Sequence, residues 1–131
     1  MIEWKDQFSV KNEELDMQHQ KLFVLVNHIL ESMKTEKAKD TTFINDILNQ
    51  LYDYTQYHFK AEEKKFSGTQ YPFSTAHIKA HRDFTDKVRE MAANKEKTVP
   101  ALNAINIAQT ANKWIMEHVI RFDKGYSQYI N

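Results

Sequence analysis

Histidines 19, 58, 77, 81 and 118 make up five of the six in this chain, and each stands where an amphipathic helix would carry leucine or isoleucine. An unpartnered polar group buried at such a position costs roughly 1–3 kcal/mol. One histidine on an apolar face is ordinarily a hydrogen-bonded core residue, but five of them together with Glu62 are accounted for at once by a shared metal. His58 with Glu62, and His77 with His81, are i, i+4 pairs that project side by side from one helix face. Imidazole and carboxylate without thiolate suit iron, zinc, copper or nickel, so ligand type leaves the element open. Ligand number narrows the arrangement, because the set exceeds what one tetrahedral zinc uses and fits two metals sharing carboxylate bridges. The remaining histidine, His28, lies nine residues after His19, about 180° around a helix. It is expected to point away from the site.

Side chains so far apart in sequence need long elements to bring them together, and the chain is built for helices. Gly and Pro number two each, too few for a turn-rich β architecture. Apolar residues recur at alternating steps of four and three in four runs. These are Leu15, His19, Leu22, Val26, Ile29, Met33; then Ile44, Leu48, Leu51, Thr55, His58, Glu62; then His77, His81, Phe84, Val88, Met91; and Ala104, Ala108, Ala111, Ile115, His118, Phe122. With Asp16, Thr41 or Thr42, and Ser74 or Thr75 as start signals and Pro100 in a first turn, the runs predict helices over roughly 16–35, 41–66, 74–93 and 100–121. Gly68 to Pro72 breaks the chain between the second and third, and Asn94 to Lys97 is the loop before the fourth. Connections this short make neighbours antiparallel, so the expected fold is all-α, an up-down-up-down antiparallel four-helix bundle with an N-terminal arm. In that topology the start of helix one, the end of two, the start of three and the end of four share one level. All the seam histidines fall there.

Bulk composition closes off other classes. At 131 residues and 41% hydrophobic content the chain is sized for a single domain over residues 1–131. Eighteen basic residues balance eighteen acidic ones, which gives no field favouring nucleic acid. The absence of cysteine removes disulfides, thiolate metal sites and iron–sulfur clusters. No signal peptide pattern or membrane span is evident, so a cytoplasmic, monomeric protein without membrane insertion is expected.

Four motifs carry a resemblance that extends over most of the chain. They are Asp16-x-Gln18-His19, His58-Phe59-x-x-Glu62-Glu63, Tyr71-Pro72 followed by His77-x-x-x-His81, and Trp114-x-x-x-His118-x-x-x-x-Asp123. Together they resemble the bacterial single-domain hemerythrins; myohemerythrin is itself a standard example of this bundle topology. The resemblance implies two non-haem iron ions, one on His77, His81 and His118 and the other on His19 and His58. Glu62, Asp123 and an oxo or hydroxo oxygen would bridge them. Dioxygen would bind at the iron of His19 and His58, which has one protein ligand fewer. It further implies an apolar oxygen pocket, by position Phe59, Trp114, Ile115 and Val119, although residues of these types at helical spacing serve equally as plain core. Tyr126 becomes a candidate for contact with the ligands. Glu63 is rotated about 100° from Glu62 and is expected outside the ligand set, and Asp16 is expected to cap a helix.

Ligand chemistry also bears on what such a centre does. Oxygen-activating di-iron enzymes of the ferritin-like type use mostly carboxylates with Glu-x-x-His spacing, whereas five neutral imidazoles dominate here. Reversible dioxygen binding, as carrier, store or delivery protein for an oxygen-consuming client, is therefore the first reading, and the chain is not expected to be an enzyme. A di-iron enzyme reducing peroxide or nitric oxide, or an oxygen or redox sensor, is the alternative. Asp123 carries one structural condition. It follows His118 by five residues, about 140° around a regular helix, so both can face one cluster only if the helix widens between Val119 and Asp123.

Overall fold

Asn12 opens the first helix from an extended backbone, its side chain accepting the Leu15 N–H at 3.1 Å and so satisfying a first-turn donor. The computed structural model describes residues 3–93 and 100–130. Helix α1 spans Glu13–Ser32, starting before and ending short of the expected 16–35. Asp16 is therefore not the cap. Its carboxylate instead accepts the Ser9 hydroxyl at 2.6 Å and the Val10 N–H at 2.9 Å, pinning the N-terminal arm to the helix.

Helix α2 spans Thr41–Phe66 and is capped by Asp40, not by Thr41 or Thr42, through the Phe43 N–H at 3.1 Å. Beyond its end Gly68 has φ +78°, a left-handed conformation that glycine adopts without a Cβ penalty. Helix α3 spans Ser74–Ala93 and α4 Pro100–His118. The loop expected at Asn94 to Lys97 lies outside the described residues. Instead of ending at 121, the fourth helix continues through one π-helical turn, Val119–Asp123, into α5, Lys124–Ile130.

Helices α1 and α3 each pack against both α2 and α4, which closes the four into the bundle. The described residues contain no strand, and no helix among them is long and apolar enough to cross a membrane. Seam positions Leu22, Val26, Ile29, Leu51, Phe84, Val88, Ala108, Ala111 and Ile115 are buried in one core. Of a second, smaller cluster, Val10, Leu15, Phe66, Tyr71 and Tyr126, the four-three repeat includes Leu15 alone, since the cluster joins the arm and α5 to the bundle end. Along the helices the polar site falls between the two. It is thus sealed from water at both ends by apolar side chains.

Candidate metal centre

Helix seams deliver six side chains into this level of the bundle and a widened turn delivers a seventh, and the most exposed of them, His118, is only 5% exposed. From α1 comes His19, from α2 His58 and Glu62, from α3 His77 and His81, from α4 His118, and from the π turn Asp123. Their arrangement is divided. Glu62 turns Oε1 toward His19 Nε2, at 3.0 Å, and toward His58 Nε2, while its Oε2 lies 3.3 Å from His77 Nε2 and 3.6 Å from His81 Nε2. Asp123 repeats the pattern, with Oδ2 3.0 Å from His19 Nε2 and Oδ1 2.9 and 3.0 Å from the Nε2 atoms of His77 and His118. Two groups result, each compact enough to hold one ion: His19, His58, Glu62 and Asp123, and His77, His81, His118, Glu62 and Asp123.

The residues fit a pair of cations. Glu62 Oε2 and both carboxylate oxygens of Asp123 are buried without a hydrogen bond of proper geometry, although ring nitrogens lie within 4 Å. His118 Nε2 lies 2.9 Å from His77 Nε2 and 3.1 Å from His81 Nε2. Nitrogen and oxygen lone pairs converging on common points instead of on donors is the disposition that a bound cation satisfies.

Asp123 reaches the cluster because the helix widens. The Lys124 N–H bonds to the carbonyl of Val119, five residues back, and the extra residue in that turn brings Asp123 inward while Phe122 is only half-buried. This meets the condition set by its spacing from His118, and a π-bulge at such a place is common where a helix serves a site.

Contacts outside the cluster orient the rings. The Gln18 amide Oε1 lies 2.7 Å from His58 Nδ1, the Tyr71 hydroxyl 3.2 Å from His77 Nδ1, and Glu63 Oε2 3.0 Å from His81 Nδ1. An acceptor on Nδ1 holds the proton there and leaves the Nε2 lone pair facing inward, the tautomer a metal requires. The motifs contain Gln18 and Tyr71 without implying these contacts; a glutamine one residue before a seam histidine is the signal the sequence offers. Aromatic planes back the three-histidine group: Phe59 on His81 with centroids 4.0 Å apart, Trp114 on His118 at 4.2 Å, and Phe66 on His77 at 5.0 Å. Ile115 and Val119 are buried in the main core, Tyr126 is buried against His77, and His28 is exposed beside Phe43.

Protons balance the charge when metal is absent. Burial alone would lower the His19 imidazole, but Asp123 and Glu62 outweigh it and push it up to about 10. The same opposition takes His77 up to about 9. Burial pushes Glu62 upward, yet His58, His19 and His77 hold it well below the usual carboxylate range. Burial and Glu62 likewise raise Asp123, and His118 and His19 prevail in lowering it. Histidines raised above their unfolded value of 6.5 contribute stability that is complete below that pH and lost as pH rises through about 9 and 10. Metal-free protein should therefore unfold at progressively lower urea between these limits. Metal uptake at neutral pH should release protons to a weakly buffered indicator. A flat urea midpoint across the range, or uptake without proton release, would contradict this balance.

The family model for the hemerythrin HHE cation binding domain matches residues 10–129. A bacteriohemerythrin of Clostridium acetobutylicum is 30% identical over 96% of this chain and 98% of its own length. A hemerythrin-like protein of Naegleria gruberi is also 30% identical, over 94% and 88%, and a bacteriohemerythrin of Pseudomonas aeruginosa is 26% identical over 94% and 77%. Sequence likeness along nearly the whole length, an all-helical bundle and a buried cluster able to hold cations agree, and this chain belongs to the hemerythrin family.

Proposed function

We propose that this chain holds two iron ions and binds dioxygen reversibly, as a carrier or store. The observation supporting this most directly is that Glu62 and Asp123 each direct one oxygen to the two-histidine group and the other to the three-histidine group. Bridging carboxylates do this. Bound iron would supply reversible two-electron exchange with dioxygen. The protein's part is to hold, orient and exclude. His77, His81 and His118 with both carboxylates offer five ligands to one ion, and His19 and His58 with the same carboxylates offer four to the other. The group of His19 and His58, offering one ligand fewer, would leave room for a small molecule. Five imidazoles against two carboxylates leave the pair poor in negative charge, which suits reversible binding better than the oxygen cleavage of carboxylate-rich centres.

Phe59, Trp114, Ile115 and Val119 form the apolar wall in this reading. Phe59 lies against His58 of the two-histidine group, with centroids 6.1 Å apart, Trp114 packs on Phe59 at 5.5 Å, and Ile115 and Val119 extend the wall into the main core. Such a wall would keep water and protons from that side of the cluster, and so favour release of dioxygen unreduced.

Anaerobic loading with ferrous iron, followed by oxygen addition and removal under vacuum, tests the proposal. Recovery of the starting spectrum over many cycles is expected. Steady conversion to ferric protein with peroxide or nitric oxide consumed catalytically would replace the carrier reading with an enzymatic one. Ile115→Glu should retain iron yet oxidise irreversibly about tenfold faster, as a barrier lowered by roughly 1.4 kcal/mol gives. An unchanged oxidation rate in that variant would remove Ile115 from the pocket.

A further inference from the structure

Three of the ligand histidines are met from outside the cluster, and the partners differ in charge. Gln18 offers His58 a neutral amide oxygen, Tyr71 offers His77 a hydroxyl, and Glu63 offers His81 a carboxylate. His19 Nδ1 is buried with no partner. Among the described residues, then, the three-histidine group alone has an outer carboxylate on a ligand ring.

We propose that Glu63 is a positioning residue for the metal of the three-histidine group, and that its charge makes this metal the more readily oxidised of the pair. The inference rests on the two-iron reading above. Glu63 follows Glu62 on α2, about 100° further around the helix, so that one carboxylate points into the cluster while the next passes outside it to α3. There its Oε2 lies 3.0 Å from His81 Nδ1. Phe59 fixes the plane of the same ring, stacked at 4.0 Å and 7°. With plane and proton both set, His81 Nε2 has one direction left, toward Glu62 Oε2 and His118 Nε2. A carboxylate accepting the Nδ1 proton also draws that proton away from the ring and makes Nε2 a stronger donor to metal. Gln18 fixes the tautomer of His58 without that charge. The Glu63 side chain is 31% exposed, so water screens part of its effect but leaves the short hydrogen bond through the ring intact.

The wild-type chain, Glu63→Gln and Glu63→Leu, each loaded anaerobically with ferrous iron, separate the two contributions. Glutamine keeps an acceptor of the same reach and loses the charge, whereas leucine loses both. Glu63→Gln should hold iron against a chelator as long as wild type does, while its ferric state weakens about tenfold relative to its ferrous state. That corresponds to a one-electron potential roughly 59 mV higher. Glu63→Leu should shift the potential likewise and lose metal 10–100-fold faster, the usual range for an outer partner of a ligand histidine. Glu31→Gln, which removes an exposed carboxylate on α1, should change neither quantity. A wild-type potential in Glu63→Gln, or wild-type metal retention in Glu63→Leu, overturns the proposal. Should the wild-type chain take up fewer than two irons, the two-iron reading fails on its own, and zinc release from the same variants still decides whether Glu63 positions His81.

Discussion

Glu62→Gln should leave the chain folded and unable to keep either metal. The substitution retains the shape of the side chain, so the packing between α2 and its neighbours is little disturbed. What it removes is the negative charge, because an amide cannot present a charged oxygen to His19 and His58 on one side and to His77 and His81 on the other. His81→Ala subtracts a ligand from one group only, and the two-histidine group keeps all four of its own. The glutamine variant should therefore lose more iron than the alanine variant, and His28→Ala, on the outer face, should lose none. Metal that binds only the folded chain stabilises it by about 4 kcal/mol at a thousandfold excess over the dissociation constant. For a domain of this size that corresponds to a thermal midpoint roughly 15 °C higher. Wild type should show this rise on loading and Glu62→Gln should not, with the metal-free midpoints lying much closer together. Iron content per chain and thermal unfolding with and without metal provide the check. Retention of two irons by Glu62→Gln would sink the bridging role.

Why this much could be read from the sequence is a matter of period. A helix seam repeats every three or four residues, and a polar residue at a seam position is conspicuous against its apolar neighbours, so His19, His58, Glu62, His77, His81 and His118 stood out on spacing. The bundle then followed from short connections. Asp123 did not stand out by spacing, because a repeat of fixed period lands on Phe122 and carries no signal for a wide turn. The motif resemblance supplied it, and the structure shows the widened turn the spacing required. Helix ends were less legible. Asn12 and Asp40 cap where the sequence points to Asp16 and to Thr41 or Thr42, since several residue types can accept a first-turn N–H and only the approach of the preceding chain chooses among them. Nor does a repeat register contacts between elements. The cluster of Val10, Phe66, Tyr71 and Tyr126, and the reach of Gln18 and Glu63 to rings on other helices, depend on how α5, the arm and the bundle close on one another.

Inserting one alanine between Ile120 and Arg121 should empty the centre, and deleting Ile120 should not. The wide turn already takes up one residue more than a regular helix would, which is how a carboxylate five positions after His118 comes to face the same way. A second extra residue has no such turn to absorb it. Asp123 then swings by about 100°, out of reach of both histidine groups, and α5 turns with it. Tyr126, fully buried between Phe66 and Tyr71, would leave that cluster, at a cost comparable to the roughly 3–5 kcal/mol of truncating a buried aromatic. Deletion acts in the opposite sense. Ile120 is 48% exposed, so its side chain costs little to remove, and the aspartate then lies four residues after His118. In a regular helix that is about 40° off the same direction, near enough for both carboxylate oxygens to stay in the cluster. Iron per chain, with circular dichroism to confirm that each variant is folded, distinguishes the cases. Two irons in the insertion variant would remove Asp123 from the centre altogether. None in a folded deletion variant would show that the π turn sets how far along the axis the carboxylate sits, and not only which way it faces.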